Sequence, residues 1–240
     1  VNLKLLRCLP IWKSNMQESL IIGLGEIGKS LHNVIGGDVR DKAGIIGREN
    51  PINYDIIHIC FPYGPQFNKY VKQYQSEYNP EYTVIHSTVP VGTSRSLKAS
   101  HSPVIGIHPH LEESITTFTK FIGGADARVI QFFRRKGIKI YSFDKPETTE
   151  LMKILSTSKY GIDIEWTKEV KRLCDEYKVP FEAWTIWTDN YNKGYTKLGY
   201  PEYKRPSLIY MKGKIGGHCV LSNLKFLKSK FKDVIGKEDI

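Results

Sequence analysis

"SLIIGLGEIGKSL", residues 19–31, decides the fold. A short apolar run meets three glycines, Gly23, Gly25 and Gly28, and a helix-like pattern follows. Glycine weakens both strand and helix, so three at one junction need a reason. Their spacing is G-x-G-x-x-G. In that pattern the first glycine permits a tight turn and the second lets the backbone approach a diphosphate. The third lets helix and strand pack closely, with the phosphate at the helix N-terminus. Ile27, Leu31, Val34 and Ile35 fall on one helical face. A strand before, an amphipathic helix after and a place in the first unit of an α/β pattern are the context the motif requires.

An acidic residue is due about 20 positions further on, where it would hold the adenosine ribose hydroxyls. "GGDVRDKAG" supplies Asp41 at an expected strand end, with Asp38 as the alternative. A carboxylate there disfavours a 2′-phosphate, so NAD is expected rather than NADP. Arg40 beside it leaves NADP open.

Outward from this junction, short β-branched runs recur: "DIIHICF" (55–61), "YTVIHST" (82–88), "PVIGIHP" (103–109) and "IKIYSF" (138–143). Each reads as a buried strand. Near-continuous hydrophobicity suits a parallel sheet covered on both faces. Helix-like stretches lie between, among them "DARVIQFFRRKG" (126–137), closed by Gly137. The expected fold is a doubly wound, Rossmann-like α/β domain over residues 1–145. Pro146 then opens a long helical stretch. Leu151, Leu155, Ser158, Ile162, Trp166, Val170, Leu173 and Tyr177 form one stripe, interrupted by Gly161, and Pro180 ends it. A smaller, mainly helical domain is expected over 146–240. Ligands of such sheets bind outside the carboxyl ends of the strands. Three loops there, "CFPYGP", "STVPVGTS" and "HPHLEES", carry hydroxyls and imidazoles.

Composition narrows the function. No apolar run of about 18 residues is present, so no membrane span is expected. The opening "VNLKLLRCLPIW" has too short an apolar part, and no small-residue cleavage site, for a secretory signal. Cys8, Cys60, Cys174 and Cys219 form no C-x-x-C pair, which argues against a zinc ribbon or disulfide framework and for the cytoplasm. Cys60, within a strand pattern, reads as core. "HPH" at 108–110 lacks further ligands at metal spacing, so no metal is expected. The net charge is +10, and from Asn190 onward eleven Lys/Arg face four Asp/Glu. That asymmetry suits a small anionic partner. Nucleic acid is disfavoured, although "YNKGYTKLGYPEYKRP" interleaves aromatic and basic residues.

"GLGEIG", "DIIHICFPYG", "STVPVGTS", "ETTELMKILSTS" and "GKIGGHC" follow one another in the order of a known group. Over about residues 19–222 the chain resembles the UDP-glucose/GDP-mannose dehydrogenase family of the 6-phosphogluconate dehydrogenase-like superfamily. "STVPVGT" and "GGHC" are the most specific parts of the likeness. The family oxidises a nucleotide-sugar alcohol to the acid in two NAD-dependent steps, through a cysteine adduct of the aldehyde. The resemblance implies a cofactor site of Gly23, Gly25, Glu26, Ile27, Gly28, Asp41, Phe61, Pro62, Ser87 and Thr88. It implies Cys219 as nucleophile, Lys153 as the stabiliser of oxyanion charge and Glu113 as a group that activates water. A thiol is an adequate nucleophile beside a cation, and an ammonium stabilises a forming alkoxide. On a helical wheel Lys153 lies about 200° from Leu151, off the stripe and on the side of Glu150 and Thr157. The resemblance also implies a homodimer through the 151–177 helix.

Several family positions differ. The asparagine one turn after the lysine is Thr157, and the aspartate four residues after the cysteine is Asn223, which cannot act as a base. A family glutamate in the third loop is His110. The family's further α/β domain after the cysteine has no counterpart in the residues that follow Cys219, so the chain reads as a short, divergent member. The expected activity is a single alcohol/carbonyl step on an anionic sugar or hydroxy acid, with lysines from "YPEYKRPSLIYMKGK" near the substrate. Two alternatives stand: a small hydroxyacid, 6-phosphogluconate or prephenate-type dehydrogenase, and a non-catalytic dinucleotide- or nucleic-acid-binding module.

Overall fold

The structure, a computed structural model, describes residues 18–41, 44–46, 54–215 and 218–235. The opening stretch with Cys8, the two glycines of G-G-H-C and the side chain of His218 lie outside the described residues. The chain divides into two compact units between Glu150 and Leu151.

The first unit alternates strands and helices. In chain order they are β1 (Ser19–Ile22), α1 (Glu26–Ile35), β2 (Asp38–Asp41), β3 (Gly44–Ile46), β4 (Ile56–Ile59), α2 (Phe67–Tyr78), β5 (Tyr82–Ile85) and α3 (Thr93–Ser96). Then come β6 (Ser100–His101), α4 (Leu111–Thr117), β7 (Lys120–Gly123), α5 (Ala127–Arg135) and β8 (Ile140–Phe143). The strands form one sheet in the order β3-β2-β1-β4-β5-β6-β7-β8. Among the described strands, β2–β3 and β6–β7 pair antiparallel and the rest parallel. This is a Rossmann-like α/β fold.

The continuous apolar runs serve two faces. Ile21, Ile56 and Cys60 join Leu31, Ile35 and Phe133 in one core. Leu20, Ile22, Ile57 and Ile59 join Phe67 and Val71 in the other. Strand side chains alternate between faces, so a sheet covered on both sides needs apolar residues at consecutive positions. Cys60 is buried as expected, and burial pushes its thiol up to about 12.

The run 103–109, which reads as a strand, is irregular backbone. The strand at this point is the two-residue β6, and the next is β7, "KFIG", which the sequence reading passes over. Val104 turns into the core, whereas Ile105 and Ile107 are exposed. Gly106 instead lies against α4, where a Cβ would come 2.5 Å from the Cβ of Ser114.

A chain of imidazoles crosses one face of the sheet. His86 Nδ1 lies 2.8 Å from the carbonyl oxygen of Ser102, to which it must donate. His86 Nε2 therefore accepts from His58 Nδ1 at 3.0 Å. Phe132 and Phe133 pack on these rings, and the ammonium of Lys120 acts on both. Burial, then Lys120, lowers His58 to about 3 and drives His86 well below the ordinary value. The unfolded chain protonates these rings near pH 6.5, and the folded chain does not. Their contribution is intact above that pH and is lost as the pH falls toward 3. His58 alone should cost about 2 kcal/mol at pH 5, and His86 adds to the loss in the same direction. Urea denaturation at pH 7 and pH 5 checks this, and equal midpoints would refute it.

Residues 151 onward are helical. α6 (Pro146–Glu176) is continuous, with proline at its first position, where no intrahelical N–H is needed. Lys178, at φ +56°, and Pro180 separate it from α7 (Phe181–Lys197). α8 (His218–Leu224) is the next α-helix in the chain. Among the described residues of this unit there is no strand. Its core gathers Ile215, Val220 and Ile235 with Ile162, Ile164 and Leu224. Gly161 does not interrupt α6. A Cβ there would sit 2.8 Å from Val220 and 3.0 Å from Ile235, so the glycine lets these side chains close on the helix.

The expected stripe is corrected in part. Ser158 and Val170 are buried, but Leu151, Leu155, Trp166 and Tyr177 are exposed. The inward face carries Thr149, Glu150, Ile154, Ser158 and Thr167 instead. Those polar groups are satisfied inside: Thr149 by His101, Glu150 by Gly92 and Ser94, and Ser158 by the carbonyl of Ile154. Hydrophobic periodicity cannot anticipate a face built on hydrogen bonds.

Candidate functional site

The strand order reverses between β1 and β4, and the glycine loop leaves β1 at that switch point. Gly23 has φ +102° and donates its N–H to the carbonyl of Arg40 at 2.9 Å. A Cβ on Gly23 would meet Phe61 N at 2.9 Å. A Cβ on Gly28 would overlap the carbonyl oxygen of Gly23. A Cβ on Gly25, which begins α1 with extended backbone, would meet nothing within 4 Å. Two glycines are thus needed for protein packing. The third leaves open space before the N-terminus of a ten-residue helix. The first N–H groups of a helix have no intrahelical partner, and the macrodipole makes that end positive. The cradle fits a diphosphate.

The other cofactor positions lie at the same sheet edge. Glu26 opens α1, and its carboxylate lies 3.0 Å from His108 Nδ1. Ile27 packs against the core. Asp41 ends β2 and is exposed. Asp38 is instead tied down, accepting from the Tyr54 hydroxyl at 2.9 Å. Phe61, with Pro62 exposed beside it, follows β4. The buried Ser87 hydroxyl, after β5, donates to the carbonyl of Phe61 at 2.6 Å, and Thr88 is next to it. Glu113 lies on α4, exposed, with its carboxylate 3.4 Å from His110 Nδ1.

The second unit brings four expected residues together. Lys153 and Thr157 are one turn apart on α6, and Cys219 and Asn223 one turn apart on α8. Asn223 Nδ2 reaches Thr157 Oγ1 at 3.5 Å, the outer limit of a hydrogen bond. Thr157 also donates to main-chain carbonyls of its own helix. Burial lowers the pKa of Lys153, while the Cys219 sulfur pulls it back up. Cys219 is exposed. Thr157 and Asn223, two of the positions where the resemblance leads to a different residue, therefore face each other. A threonine–asparagine contact there provides hydrogen bonding but no carboxylate base.

One residue the sequence reading passed over organises the "VPVGTS" loop. Glu150 is fully buried and accepts from Gly92 N at 2.6 Å and Ser94 N at 2.8 Å. The signal was available in principle: a glutamate on a helix face that is otherwise satisfied internally. The partner loop lies 56 to 58 positions away, so spacing alone does not reveal it.

A separate cleft of about 730 Å³ in the second unit is bordered by Trp166, Lys171, Arg172 and Tyr210. Its cations are paired, Lys171 with Asp175 and Arg172 with Glu169 and Glu176. Within "YNKGYTKLGYPEYKRP" the tyrosines and Arg205 contact each other. Tyr195 packs on Tyr191 and Tyr203, and the Arg205 guanidinium lies 4.3 Å from the Tyr191 ring centre. Among the described residues no His/Cys/Asp/Glu group is arranged for a metal, and no helix is long and apolar enough to cross a membrane.

No protein-family model matches the chain, and no curated protein matches it in sequence. Solved structures do match in fold. The UDP-D-ManNAc dehydrogenase of Pyrococcus horikoshii aligns with a TM-score of 0.70 at 14% identity, over 91% of this chain and 68% of its own. An NDP-N-acetyl-D-galactosaminuronic acid dehydrogenase from Methanosarcina mazei gives 0.64 at 11% identity, over 88% and 60%. The 3-hydroxyisobutyrate dehydrogenase of Mycobacterium tuberculosis gives 0.64 at 12% identity, over 91% of both chains. The chain thus shares its fold with nucleotide-sugar dehydrogenases and with a 3-hydroxyisobutyrate dehydrogenase, and it spans 60% of the Methanosarcina enzyme's length.

Proposed function

We propose that the chain is an NAD-dependent oxidoreductase of the nucleotide-sugar dehydrogenase type, with residues 1–145 as the dinucleotide domain and the helical residues 146–240 acting on substrate. The observation that carries this reading is the glycine cradle, closed at Gly23 and Gly28 and open at Gly25. NAD, when bound, accepts a hydride from the carbinol carbon of the substrate. Gly23, Gly25 and Gly28, with Glu26 and Ile27, hold its diphosphate, Asp41 its ribose, and Phe61, Pro62, Ser87 and Thr88 border the rest.

Lys153 stabilises the alkoxide as the hydroxyl proton leaves. Burial weakens its hold on its own proton. Cys219 is the group that would add to an aldehyde. Completing the acid would need a second NAD to take a hydride from the resulting thiohemiacetal and a base to activate water against the thioester so formed, and neither Thr157 nor Asn223 can serve as that base. Glu113 remains the candidate for water activation. The changed positions 157 and 223 supply no carboxylate base beside Cys219, which favours a single alcohol/carbonyl interconversion. The substrate is a small anionic sugar or hydroxy acid.

The fold shared with the 3-hydroxyisobutyrate dehydrogenase supports a second reading, a small hydroxyacid dehydrogenase in which Cys219 is incidental. The outward face of α6, with Leu151, Met152, Leu155 and Trp166 exposed, supports a homodimer.

The test is NADH formation over a panel of nucleotide sugars and hydroxy acids, counted per substrate consumed. One NADH per nucleotide sugar, with a trappable carbonyl product, is expected. Lys153→Met should lower kcat by about 10²–10³-fold. Turnover confined to hydroxy acids and unaltered in Cys219→Ala would select the second reading. Two NADH per sugar would contradict the single step, and no turnover with either class would overturn the assignment.

A further inference from the structure

Arg40 stands where a 2′-phosphate would be recognised, at the end of β2 beside Asp41, and its own carbonyl anchors Gly23 of the phosphate loop at 2.9 Å. A guanidinium at this place is the ordinary means of accommodating NADP. Here it is turned onto α2. Its Nη1 donates to Glu77 Oε1 at 2.6 Å and to the hydroxyl of Tyr78. Its Cζ lies 5.5 Å from the ring centres of both Tyr74 and Tyr78. Tyr78 is itself buried and packs edge-on against Tyr54, whose hydroxyl holds Asp38. The ion pair is half-exposed, so it is breakable, but two rings fix the plane of the guanidinium.

We propose that Glu77, with Tyr74 and Tyr78, is a latch that withholds Arg40 from a 2′-phosphate, and so sets the preference of this cradle for NAD. This inference rests on the dinucleotide reading above. Asp41 alone would repel a 2′-phosphate, but a free neighbouring arginine would cancel that repulsion. With Arg40 engaged by Glu77, the carboxylate of Asp41 is left to select a ribose hydroxyl. Preference then depends on a residue of α2, 37 positions away from Arg40 in sequence.

The experiment is calorimetric titration of the full chain with NAD+ and with NADP+, in the wild type, Glu77→Gln, and Glu77→Gln combined with Arg40→Met. The wild type should bind NAD+ at least tenfold more tightly than NADP+. Glu77→Gln should raise NADP+ affinity by about three- to tenfold and leave NAD+ within about twofold, since the gain is one exposed charge-assisted contact. Adding Arg40→Met should remove the gain. An unchanged NADP+/NAD+ ratio in Glu77→Gln, or a gain that survives Arg40→Met, would overturn the latch while wild-type binding of NAD+ still supports the cradle. Failure of the wild type to bind either dinucleotide would overturn the dinucleotide reading itself, and the latch with it.

Discussion

Alanine at Gly25 and alanine at Gly28 should both weaken dinucleotide binding severely, but only the second should damage the fold. The Gly28 Cβ would overlap the Gly23 carbonyl and approach the Cβ of Cys60 at 3.5 Å. Gly23 cannot retreat, because its own α-carbon faces the Phe61 backbone and its N–H is bonded to Arg40. The clash must be relieved by moving α1 away from β1. Overpacking of this kind costs about 1–3 kcal/mol and often more where backbone is involved. Gly25 differs: its φ of −71° is open to alanine, and its Cβ would project into empty space. Gly25→Ala should therefore keep the denaturation midpoint and lose NAD+ affinity by about 10²-fold, since the methyl occupies the approach of the diphosphate. Denaturation and NAD+ titration of the two variants check this. Normal NAD+ binding by Gly25→Ala would mean that the open space is not where the phosphates sit.

Removing the carboxylate of Glu150 should destabilise the fold strongly. Glu150→Ala leaves the N–H groups of Gly92 and Ser94 without their acceptors. Gly92 sits at φ +94° before α3, so the loop is already in a conformation that needs support. An unmet buried donor costs about 1–3 kcal/mol; with Ser94 N buried and Gly92 N partly so, a loss of about 2–4 kcal/mol is expected. Glu150→Gln retains one acceptor but turns an amide N–H₂ toward the second donor, and should fall in between. Urea denaturation at pH 7 measures both. A loss below about 0.5 kcal/mol for Glu150→Ala, the range of ordinary surface substitutions, would show that the loop does not depend on it.

What the sequence makes legible is what is settled within a few residues. The three glycines of 19–31, the N-terminal proline of α6 and the strand runs around Ile21, Ile57 and Val84 each carry their reason locally. The stretch 103–109 misleads because an apolar run bounded by prolines reads alike whether it pairs in a sheet or lies as a loop over α4. β6 is too short, at two residues, to leave a periodic signal. The α6 stripe misleads for another reason. Its buried side is held by Thr149, Glu150 and Ser158, and hydropathy scores such residues as outward-facing. Arg40 is visible in sequence, but Glu77, Tyr74 and Tyr78, which engage it, belong to a helix that only the fold brings near. The grouping of Thr157 with Asn223 depends on α8 reaching α6, which Gly161 permits and no spacing rule reveals.

The central claim is that backbone at the head of α1 receives the diphosphate of a nicotinamide dinucleotide. Calorimetric titration of the full chain with NAD+ tests it most directly. A saturable isotherm with one site per chain, severely weakened in Gly25→Ala at an unchanged denaturation midpoint, is the predicted result. Absence of binding in the wild-type chain at millimolar NAD+ would contradict it.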